Sequence, residues 1–576
     1  NCKGNITLSA VEGGDKIKIW TTQNKAEEVK LPKVYKPGDL PVTLWVEGIL
    51  SSKKQNDIKL QLVSDDPEHS DLVVMTAVVL DLDVNTNRDE VIDDKDDAKE
   101  GEDVDYQKTG ALVLANLDDD AGESKTDTSD NVITSEKDFD DFSKMIVRKM
   151  VPPKDFHAQL TIRSGGEFIR VFKELKKGAI SIMGYEGRGK PVPLQYLIPD
   201  ADLAKGDVEF FIEGIRPGKQ AAIYLELANG DMILDVCEDS VKILVTPLIF
   251  HSNIRPTKRV FYAEWKGGHS NDKFTKVFKD ESAKIVGAGN VIPLTEMKSG
   301  GIFAQDIFEI GYQQNPANHA GKPITMPTVL DNPWQIHGFS HYPAESLLKP
   351  DFGLQRGESP LISGSEYVDK IGGDYGGNLE VIPPFQPDLP YGQLVIGDNM
   401  EEQLRDFLID QKVQAKKKKI LVVLPVDPEK GSSVFHVDEV FNVVPAGGDK
   451  KFKVVVGDLD LAIALLKAST LAALKPLKDK YLSTKKEDVA AMKAIRDHLD
   501  KVKTVLKTDG DLADADIVPI PVLYPFEFTT GYGVPNAVNL QVVDSKIFIP
   551  LPIYDKSKDA VFLDMQKDIQ KRLTAA

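Results

Sequence analysis

Gln305-Asp306-Ile307-Phe308-Glu309-Ile310-Gly311-Tyr312 places acidic and amide side chains directly beside apolar ones. Two later stretches do the same: Gly377-Asn378-Leu379-Glu380-Val381 and Phe435-His436-Val437-Asp438-Glu439-Val440-Phe441. The chain contains only two cysteines, Cys2 and Cys237, and both precede all three stretches. The function of the chain depends on what these stretches form together and on which nucleophile could serve them.

His436 and Asp438 begin an apolar run, residues 437–444, that favours a strand. In a strand their side chains would lie on the same face. An imidazole beside a carboxylate suits general acid/base catalysis or metal binding, and a solvated polar face is the alternative. Asp306 and Asp438 could each hold a planar guanidinium by paired hydrogen bonds.

Length and charge limit the function classes. At 576 residues the chain is too long for one core, and about three domains are expected. A net charge of −19 disfavours direct binding to nucleic acid or to an anionic membrane, and it suits cations or cationic substrates. Two cysteines far apart make no disulfide framework, which predicts a cytoplasmic protein, with secretion left open. The chain begins with Asn1 rather than Met, as a fragment or a processed chain would.

The first half of the sequence is typical of β-structure. Short apolar runs separated by polar turns, such as residues 42–46, 58–63 and 208–212, predict two sandwich-like domains, at residues 1–80 and 81–246.

From residue 247 to 576 strands alternate with helices. Residues 401–413 predict a helix with Leu404, Phe407 and Leu408 on its buried face. Ser483 is a predicted helix cap, followed by a helical core stripe that comprises Val489, Met492, Ile495, Leu499, Val502 and Leu506. The chain stops after a strand at 546–550 and a helix at 560–573, so the last strand-helix unit looks unfinished.

The order of the motifs resembles the calcium-dependent protein-arginine (peptidylarginine) deiminases over nearly the whole chain. The resemblance rests on the three stretches above together with Lys349-Pro350-Asp351-Phe352-Gly353, Arg405-Asp406-Phe407-Leu408 and Val534-Pro535-Asn536-Ala537-Val538-Asn539. It implies two immunoglobulin-like β-sandwich domains followed by an α/β-propeller of the guanidine-modifying (pentein) class, with the last propeller unit incomplete.

The resemblance also implies calcium-dependent hydrolysis of peptidyl-arginine to peptidyl-citrulline and ammonia. Asp306 and Asp438 would bind the guanidinium, His436 would act as acid and base, and a cysteine thiolate would attack the guanidinium carbon. Phe303 corresponds to the family's pocket tryptophan and would contact the substrate stem. The partners would be arginine-containing proteins or peptides, and a homodimer stays open. The family's arginines that grip the substrate backbone correspond to Trp334 and Ile336, which leaves free arginine or another small guanidino compound open as substrate.

Three sets of calcium ligands are implied by the same resemblance. The N-terminal set comprises Asn116, Asp118, Asp120, Asp127, Asp130, Asp138 and Asp141, with Asp351 from the C-terminal domain. The activating set comprises Gln305, Glu309 and Glu380 with the carbonyls of Gly376 and Leu379. A second catalytic-domain site comprises Asp331, Asn332 and Gln335, and it is weakened because Ile307 replaces an acidic ligand. Residues 83–93 also alternate oxygen ligands in the manner of a calcium loop, without its glycine.

The family's nucleophilic cysteine belongs to a C-terminal His-Cys-Gly-Thr-Asn motif that this chain lacks. Cys237 falls in a predicted strand, where a structural thiol is expected. Two explanations remain: a truncated chain, or a catalytically dead family member that acts as a calcium-binding interaction protein. The unfinished last unit favours truncation. In either case we expect this chain itself to be inactive.

Overall fold

The computed structural model divides into two compact units, which are described separately. The first comprises residues 1–116, 127–246 and 314–325, and the second comprises residues 117–126, 247–313 and 326–576. Within the part of the chain that the structure describes, no helix is long and apolar enough to cross a membrane. The described residues are 4–50, 52, 56–65, 70–89, 91–93, 95–96, 99–122, 124–129, 132–133, 137–175, 178–185, 193–230, 232–263, 272–294, 304–316, 320–331, 343–356, 373–415, 421–423, 436–470, 475–524, 536–544, 546–550 and 559–575.

The first unit is built almost entirely of strands. Its sheets have the strand orders β3-β1-β5-β6, β2-β4, β7-β10-β15-β12-β13-β9 and β14-β11-β16-β17-β8. The strands and the α-helix that the structure describes in this unit are β1 Ile6–Glu12, β2 Ile17–Trp20, β3 Lys33–Tyr35, β4 Trp45–Gly48, β5 Ile58–Ser64, β6 Ser70–Met75, β7 Leu82–Val84, β8 Ala111–Val113, β9 Val132–Ile133, β10 Ser143–Val147, β11 His157–Ser164, β12 Ile169–Glu174, β13 Ala179–Gly184, β14 Gln195–Leu197, α1 Asp200–Lys205, β15 Val208–Gly214, β16 Gln220–Asn229 and β17 Met232–Val245.

The second unit alternates strands and helices. Its sheets have the orders β18-β21-β22-β23, β19-β20, β24-β25-β26, β27-β28-β29 and β30-β31. The elements are β18 Ile249–Phe250, β19 Val260–Ala263, α2 Asp272–Val286, β20 Val291–Leu294, α3 Ala304–Ile307, β21 Phe308–Asn315, β22 Ile324–Asp331, β23 Gly353–Arg356, β24 Leu379–Ile382, β25 Gln393–Gly397, α4 Glu402–Asp410, β26 Leu421–Val423, β27 Phe441–Pro445, β28 Phe452–Asp458, α5 Leu459–Ala468, α6 Lys475–Tyr481, α7 Lys486–Thr508, β29 Ile517–Pro521, β30 Gln541–Val543, β31 Lys546–Phe548 and α8 Asp559–Ala575.

Two of these sheets share one plan. In each, an antiparallel pair (β24 with β25, β27 with β28) is extended by a parallel strand (β26, β29) that the chain reaches through one or more helices. A parallel neighbour requires such a crossover. The strand-rich architecture predicted from the sequence is therefore confirmed. The immunoglobulin-like and propeller assignments, and the domain limits at 80 and 246, stay predictions.

The predicted buried faces of α4 and α7 are confirmed, whereas the predictions for the first residues of α7 are wrong. Leu404, Phe407 and Leu408 are buried on α4, as expected. On α7 the core stripe is buried from Met492 to Leu506, whereas Val489 is 47% exposed. Ser483 does not cap α7, because that helix begins at Lys486 with Lys485 at the cap position.

The predicted strand at residues 437–444 is wrong in its first part. Val437–Glu439 forms a 3-10 helix, and β27 begins only at Phe441. The cause is local: the Glu439 carboxylate accepts the His436 backbone N–H at 3.1 Å, and the Val440 N–H donates to the Val437 carbonyl at 3.0 Å. These bonds satisfy the backbone in a turn instead of a strand. His436 and Asp438 therefore do not lie side by side on a strand face.

Candidate active site

Asp306, His436 and Asp438 meet around the backbone of Gly377. A Cβ atom placed on Gly377 would lie 3.0 Å from Asp438 Oδ2, 3.0 Å from His436 Nδ1 and 3.1 Å from Asp306 Oδ1. His436 Nδ1 and Asp306 Oδ1 are 3.5 Å apart. The three side chains predicted to act on a guanidinium thus come from two separate elements, α3 and the turn before β27. They meet at the Gly377 backbone, which lies in the turn before β24.

The two aspartates lie in a poorly solvated setting. Asp306 is 8% exposed and Asp438 is 5% exposed. Burial, and to a smaller extent the charge of Glu439, raises the pKa of Asp306 to about 7. The hydrogen bond from the Gly377 N–H acts in the opposite direction, because it stabilises the ionised carboxylate. Burial raises the pKa of Asp438 well above its usual range, with further contributions from Glu439 and Asp306. Asp438 Oδ1 is buried and makes no hydrogen bond within the described residues. Such a carboxyl pair is suited to a cationic partner.

The His436 ring is held between its own turn and an aromatic neighbour. Its backbone N–H donates to Glu439, and the Tyr375 ring packs edge-on against the imidazole, with ring centroids 5.6 Å apart. Tyr375 immediately precedes the 3-10 helix Gly376–Asn378 and was not identified from the sequence. Tyr375 therefore contacts the His436 imidazole through its ring and lies two residues before Gly377 in the chain.

The side chains of Gln305, Glu309 and Glu380 form one hydrogen-bonded group. Gln305 Nε2 donates to Glu309 Oε1 at 2.8 Å, and Gln305 also hydrogen-bonds Glu380. Burial raises the pKa of Glu380 to about 7. Burial, and then the Glu380 charge, raises the pKa of Glu309 well above its usual range. Two neighbouring acids that both resist ionisation are the donor set that a divalent cation stabilises, so these residues fit Ca²⁺.

The Gly376 backbone approaches this group closely. A Cβ on Gly376 would lie 2.0 Å from the Gln305 carbonyl oxygen, so only glycine allows this approach. The Gly376 carbonyl accepts the Leu379 N–H across the 3-10 helix. Leu379 then begins β24, where it is opposite Ile396. The Gly376 backbone thus lies against the Gln305 backbone, and Leu379 directly precedes Glu380 in β24.

Asn253 is a site residue that the sequence did not reveal. Its Nδ2 donates to Glu380 Oε2 at 3.1 Å and to Asn442 Oδ1 at 2.8 Å. The Asn442 amide in turn donates to the Leu540 carbonyl at 3.0 Å. These partners are separated by 98 to 189 residues in the chain. No local pattern could have identified them.

Asp331 ends β22, is 7% exposed, and has a pKa raised to about 7 by burial. The other predicted members of the second catalytic-domain calcium site, Asn332 and Gln335, lie outside the described residues. The same holds for Phe303, Trp334 and Ile336.

The second unit contains three of the predicted N-terminal calcium ligands. Asp118 and Asp120 each offer a carboxylate oxygen, and these oxygens lie within 4.8 Å of one another. The backbone N–H of Asp351 donates to Asp118 Oδ2 at 2.7 Å, with Asp351 in the left-handed region at φ 59°. The structure therefore brings Asp351 beside Asp118 across 233 residues of chain.

The first unit contains the remaining members of that set. Asn116, Asp127 and Asp141 are buried, and Asp138 begins the 3-10 helix Asp138–Asp141. Asn116 Nδ2 donates to Glu213 Oε2 at 3.1 Å, while its Oδ1 is buried with no hydrogen bond among the described residues. A buried amide oxygen in that state is suited to a cation. Asp130 lies outside the described residues.

The loop at residues 83–93 uses its oxygens internally. Asn85 Oδ1 accepts the Arg88 N–H at 2.7 Å, and Asn87 Oδ1 accepts the Asp89 N–H at 2.8 Å. Asp93 Oδ1 accepts the Lys95 N–H at 3.0 Å. Side chains that bond their own backbone in this way stabilise the turn. Of the predicted calcium segments, this loop fits a cation least.

Comparison with known proteins places this site in a family. The family model described as protein-arginine deiminase matches residues 235–564, more than half of the chain. The chain belongs to the protein-arginine deiminase family. The model of the protein-arginine deiminase middle domain also matches, at residues 78–216.

Several curated protein-arginine deiminases are similar to this chain. The human type-4 protein is 28% identical over 489 residues, which cover 77% of this chain and 69% of that protein. The human type-1 protein is 26% identical over 588 residues, covering 94% and 84%. A mouse protein named as an inactive type-6 protein-arginine deiminase is 24% identical over 392 residues, covering 60% and 53%. One relative of this chain is thus named as inactive.

Proposed function

We propose that the residues around Gly377 bind the guanidinium of a peptidyl-arginine and serve its calcium-dependent hydrolysis to peptidyl-citrulline and ammonia. The observation that carries this proposal is the convergence of Asp306, His436 and Asp438. One polar atom of each side chain lies within 3.1 Å of the position that a Cβ atom on Gly377 would occupy. Two carboxylates and an imidazole at that spacing match a planar cation with several N–H donors.

The roles follow from the positions. Asp306 and Asp438 accept hydrogen bonds from the guanidinium and orient it, and their ionised forms are stabilised by its charge. Cleavage of the carbon–nitrogen bond releases ammonia, and His436 would protonate the departing nitrogen. His436 then takes a proton from the water that supplies the citrulline oxygen. The thiolate that would form the covalent intermediate belongs to the family's cysteine motif.

Gln305, Glu309 and Glu380, with the carbonyls of Gly376 and Leu379, are proposed to hold a calcium ion. When bound, Ca²⁺ supplies the positive charge that keeps Glu309 and Glu380 ionised. The fit is supported by the raised pKa values of both glutamates. Asn116, Asp118, Asp120, Asp127, Asp138, Asp141 and Asp351 are proposed to bind further calcium, as are Asp130 and Asp331.

Glu380→Gln should weaken calcium binding at the proposed activating site by about 100-fold, the upper end of what the loss of a group around a metal site costs. Because burial raises the pKa of Glu380 to about 7, we expect calcium binding to release protons, so the affinity should rise from pH 6 to pH 8. Calorimetry in buffers of different ionisation enthalpy measures both quantities. Glu402→Gln, which changes an exposed glutamate on α4, is the matched control. Unchanged affinity and proton release in Glu380→Gln would contradict the assignment.

This chain should release no citrulline above background from an arginyl peptide with Ca²⁺. A thiolate is needed, and the only cysteines are Cys2 and Cys237, of which Cys237 lies in strand β17. A colorimetric citrulline assay measures the rate. Turnover by this chain would overturn the roles assigned above and require another nucleophile.

The second candidate function is that of a calcium-binding interaction protein without catalysis. It is favoured by the same cysteine count and by similarity to a relative named as inactive. The two candidates predict different results in one experiment. A calcium-binding interaction protein without deiminase function should bind calcium and show no preference for an arginyl over a citrullyl peptide.

The finer architecture is proposed to follow the family as well. We propose immunoglobulin-like domains at residues 1–80 and 81–246 and a propeller at residues 247–576. The proposed compartment is the cytoplasm, and the proposed partners are arginine-containing proteins or peptides.

A further inference from the structure

The carbonyl of Glu439 is the point where the turn that bears His436 and Asp438 is tied to distant parts of the chain. It accepts the Tyr524 hydroxyl at 3.2 Å and the Asn536 side-chain amide at 2.5 Å. These donors are 85 and 97 residues further along the sequence. A carbonyl oxygen has two lone pairs, so these two bonds occupy it fully.

Each donor is itself fixed in place. Tyr524 is 1% exposed, and its backbone carbonyl accepts the Tyr481 hydroxyl at 2.8 Å. Asn536 Oδ1 accepts the Val538 N–H at 3.0 Å, which orients the amide so that Nδ2 faces Glu439. Val538 is fully buried, so this segment is anchored to the core.

A glycine in β28 makes room for the tyrosine. A Cβ on Gly457 would lie 1.9 Å from Tyr524 Oη, a separation that real atoms cannot adopt. The Gly457 N–H also donates to the Val440 carbonyl at 3.2 Å, one residue beyond the tied carbonyl. The backbone carbonyls of Glu439 and Val440, the two residues that follow Asp438, are therefore bonded by three segments. These segments are β28, the residue Tyr524 after β29, and Asn536 before β30.

We infer that Tyr524 and Asn536 are positioning residues for the His436 imidazole and the Asp438 carboxylate. They act through the Glu439 carbonyl and do not touch the substrate. The 3-10 turn Val437–Glu439 is closed by its own hydrogen bonds, and the two external bonds to the Glu439 carbonyl set where this closed turn, and with it Asp438, lies relative to Asp306. The inference rests on the proposed guanidinium site, because positioning has a measurable effect only if that site binds a ligand.

The test uses Tyr524→Phe, Asn536→Ala and the double variant of the whole chain. Two quantities are measured: hydrogen exchange of the turn amides at residues 437–440, and the Kd of an arginyl peptide with saturating Ca²⁺. Tyr524→Phe removes one hydroxyl without a cavity, and we expect about threefold to tenfold weaker peptide binding. The double variant should weaken binding by more than about 50-fold, because the partly buried Glu439 carbonyl then loses both of these donors. Exchange at residues 437–440 should be faster in the same order.

Two matched controls have a similar chemical change elsewhere. Tyr35→Phe removes a buried hydroxyl that makes no hydrogen bond among the described residues. Asn290→Ala removes an amide that donates to the Val286 carbonyl at 2.7 Å, at the end of α2. Both should leave the peptide Kd and the turn exchange unchanged.

The outcomes separate the two claims. Unchanged exchange and unchanged Kd in the double variant overturn the inference. Lower thermal stability with an unchanged peptide Kd also overturns it, since Tyr524 and Asn536 would then be structural only. If exchange at residues 437–440 is faster in the variants but the wild-type chain binds no arginyl peptide, the proposed function is overturned. The positioning role is then overturned as well.

Discussion

Asp438→Asn is expected to weaken binding of an arginyl peptide, at saturating Ca²⁺, by about 100-fold to 1000-fold. The substitution keeps the shape of the side chain and removes the charge that pairs with the guanidinium. Asp438 is 5% exposed, so water cannot replace the lost partner. Removing one member of a buried ion pair costs about 3–5 kcal/mol, and the lower part of that range, about 3–4 kcal/mol, corresponds to the stated loss of affinity.

Calorimetry or fluorescence anisotropy with a labelled arginyl peptide measures the effect. Asp306→Asn should act in the same direction, because its Oδ1 lies at the same meeting point. Asp479→Asn is the control, since that aspartate pairs with Lys475 on the exposed face of α6. Wild-type affinity in both Asp306→Asn and Asp438→Asn would show that the guanidinium, if it binds at all, binds elsewhere.

Gly377→Ala should have a comparable effect without a change of charge. The added methyl carbon would lie 3.0–3.1 Å from polar atoms of Asp438, His436 and Asp306 at once, closer than carbon normally approaches oxygen or nitrogen. The neighbouring side chains must give way by a few tenths of an ångström, and each movement degrades the geometry that holds a guanidinium. We expect about 100-fold weaker peptide binding, the product of two displaced partners at about tenfold each.

The control for this prediction is Gly447→Ala, since a Cβ on Gly447 meets nothing within 4 Å. It should bind the peptide as the wild type does. Circular dichroism and a thermal melt of Gly377→Ala establish that the variant is folded. A folded Gly377→Ala chain with wild-type affinity would mean that the convergence at Gly377 is not the binding site.

Features that depend on local periodicity were predictable from the sequence. The buried faces of α4 and α7 follow from the 3.6-residue repeat, because burial of an apolar stripe decides a helix orientation. The alternation of strands and helices after residue 247 was predictable for the same reason. The exposed end of α7 at Val489 was not, since the repeat alone does not tell where the neighbouring elements stop.

The candidate site was predictable in its residue types and not in its geometry. Asp306, His436 and Asp438 were singled out from short motifs, yet the expected strand at His436 is a 3-10 turn, because one glutamate bonds the backbone three residues before it. Asn253, Tyr375 and Tyr524 were missed, since each acts through contacts with residues far away in the chain. Such contacts depend on tertiary packing, which no local pattern encodes.

The most direct test is to titrate one peptide in its arginyl and citrullyl forms into the 576-residue chain, with Ca²⁺ and with EGTA. The neutral citrulline side chain cannot make the charge-assisted hydrogen bonds to Asp306 and Asp438. The account predicts that the arginyl form binds with Ca²⁺, loses its affinity in EGTA, and exceeds the citrullyl form by at least about 100-fold. Equal affinity for the two peptides, or arginyl binding that is unchanged by EGTA, would contradict it.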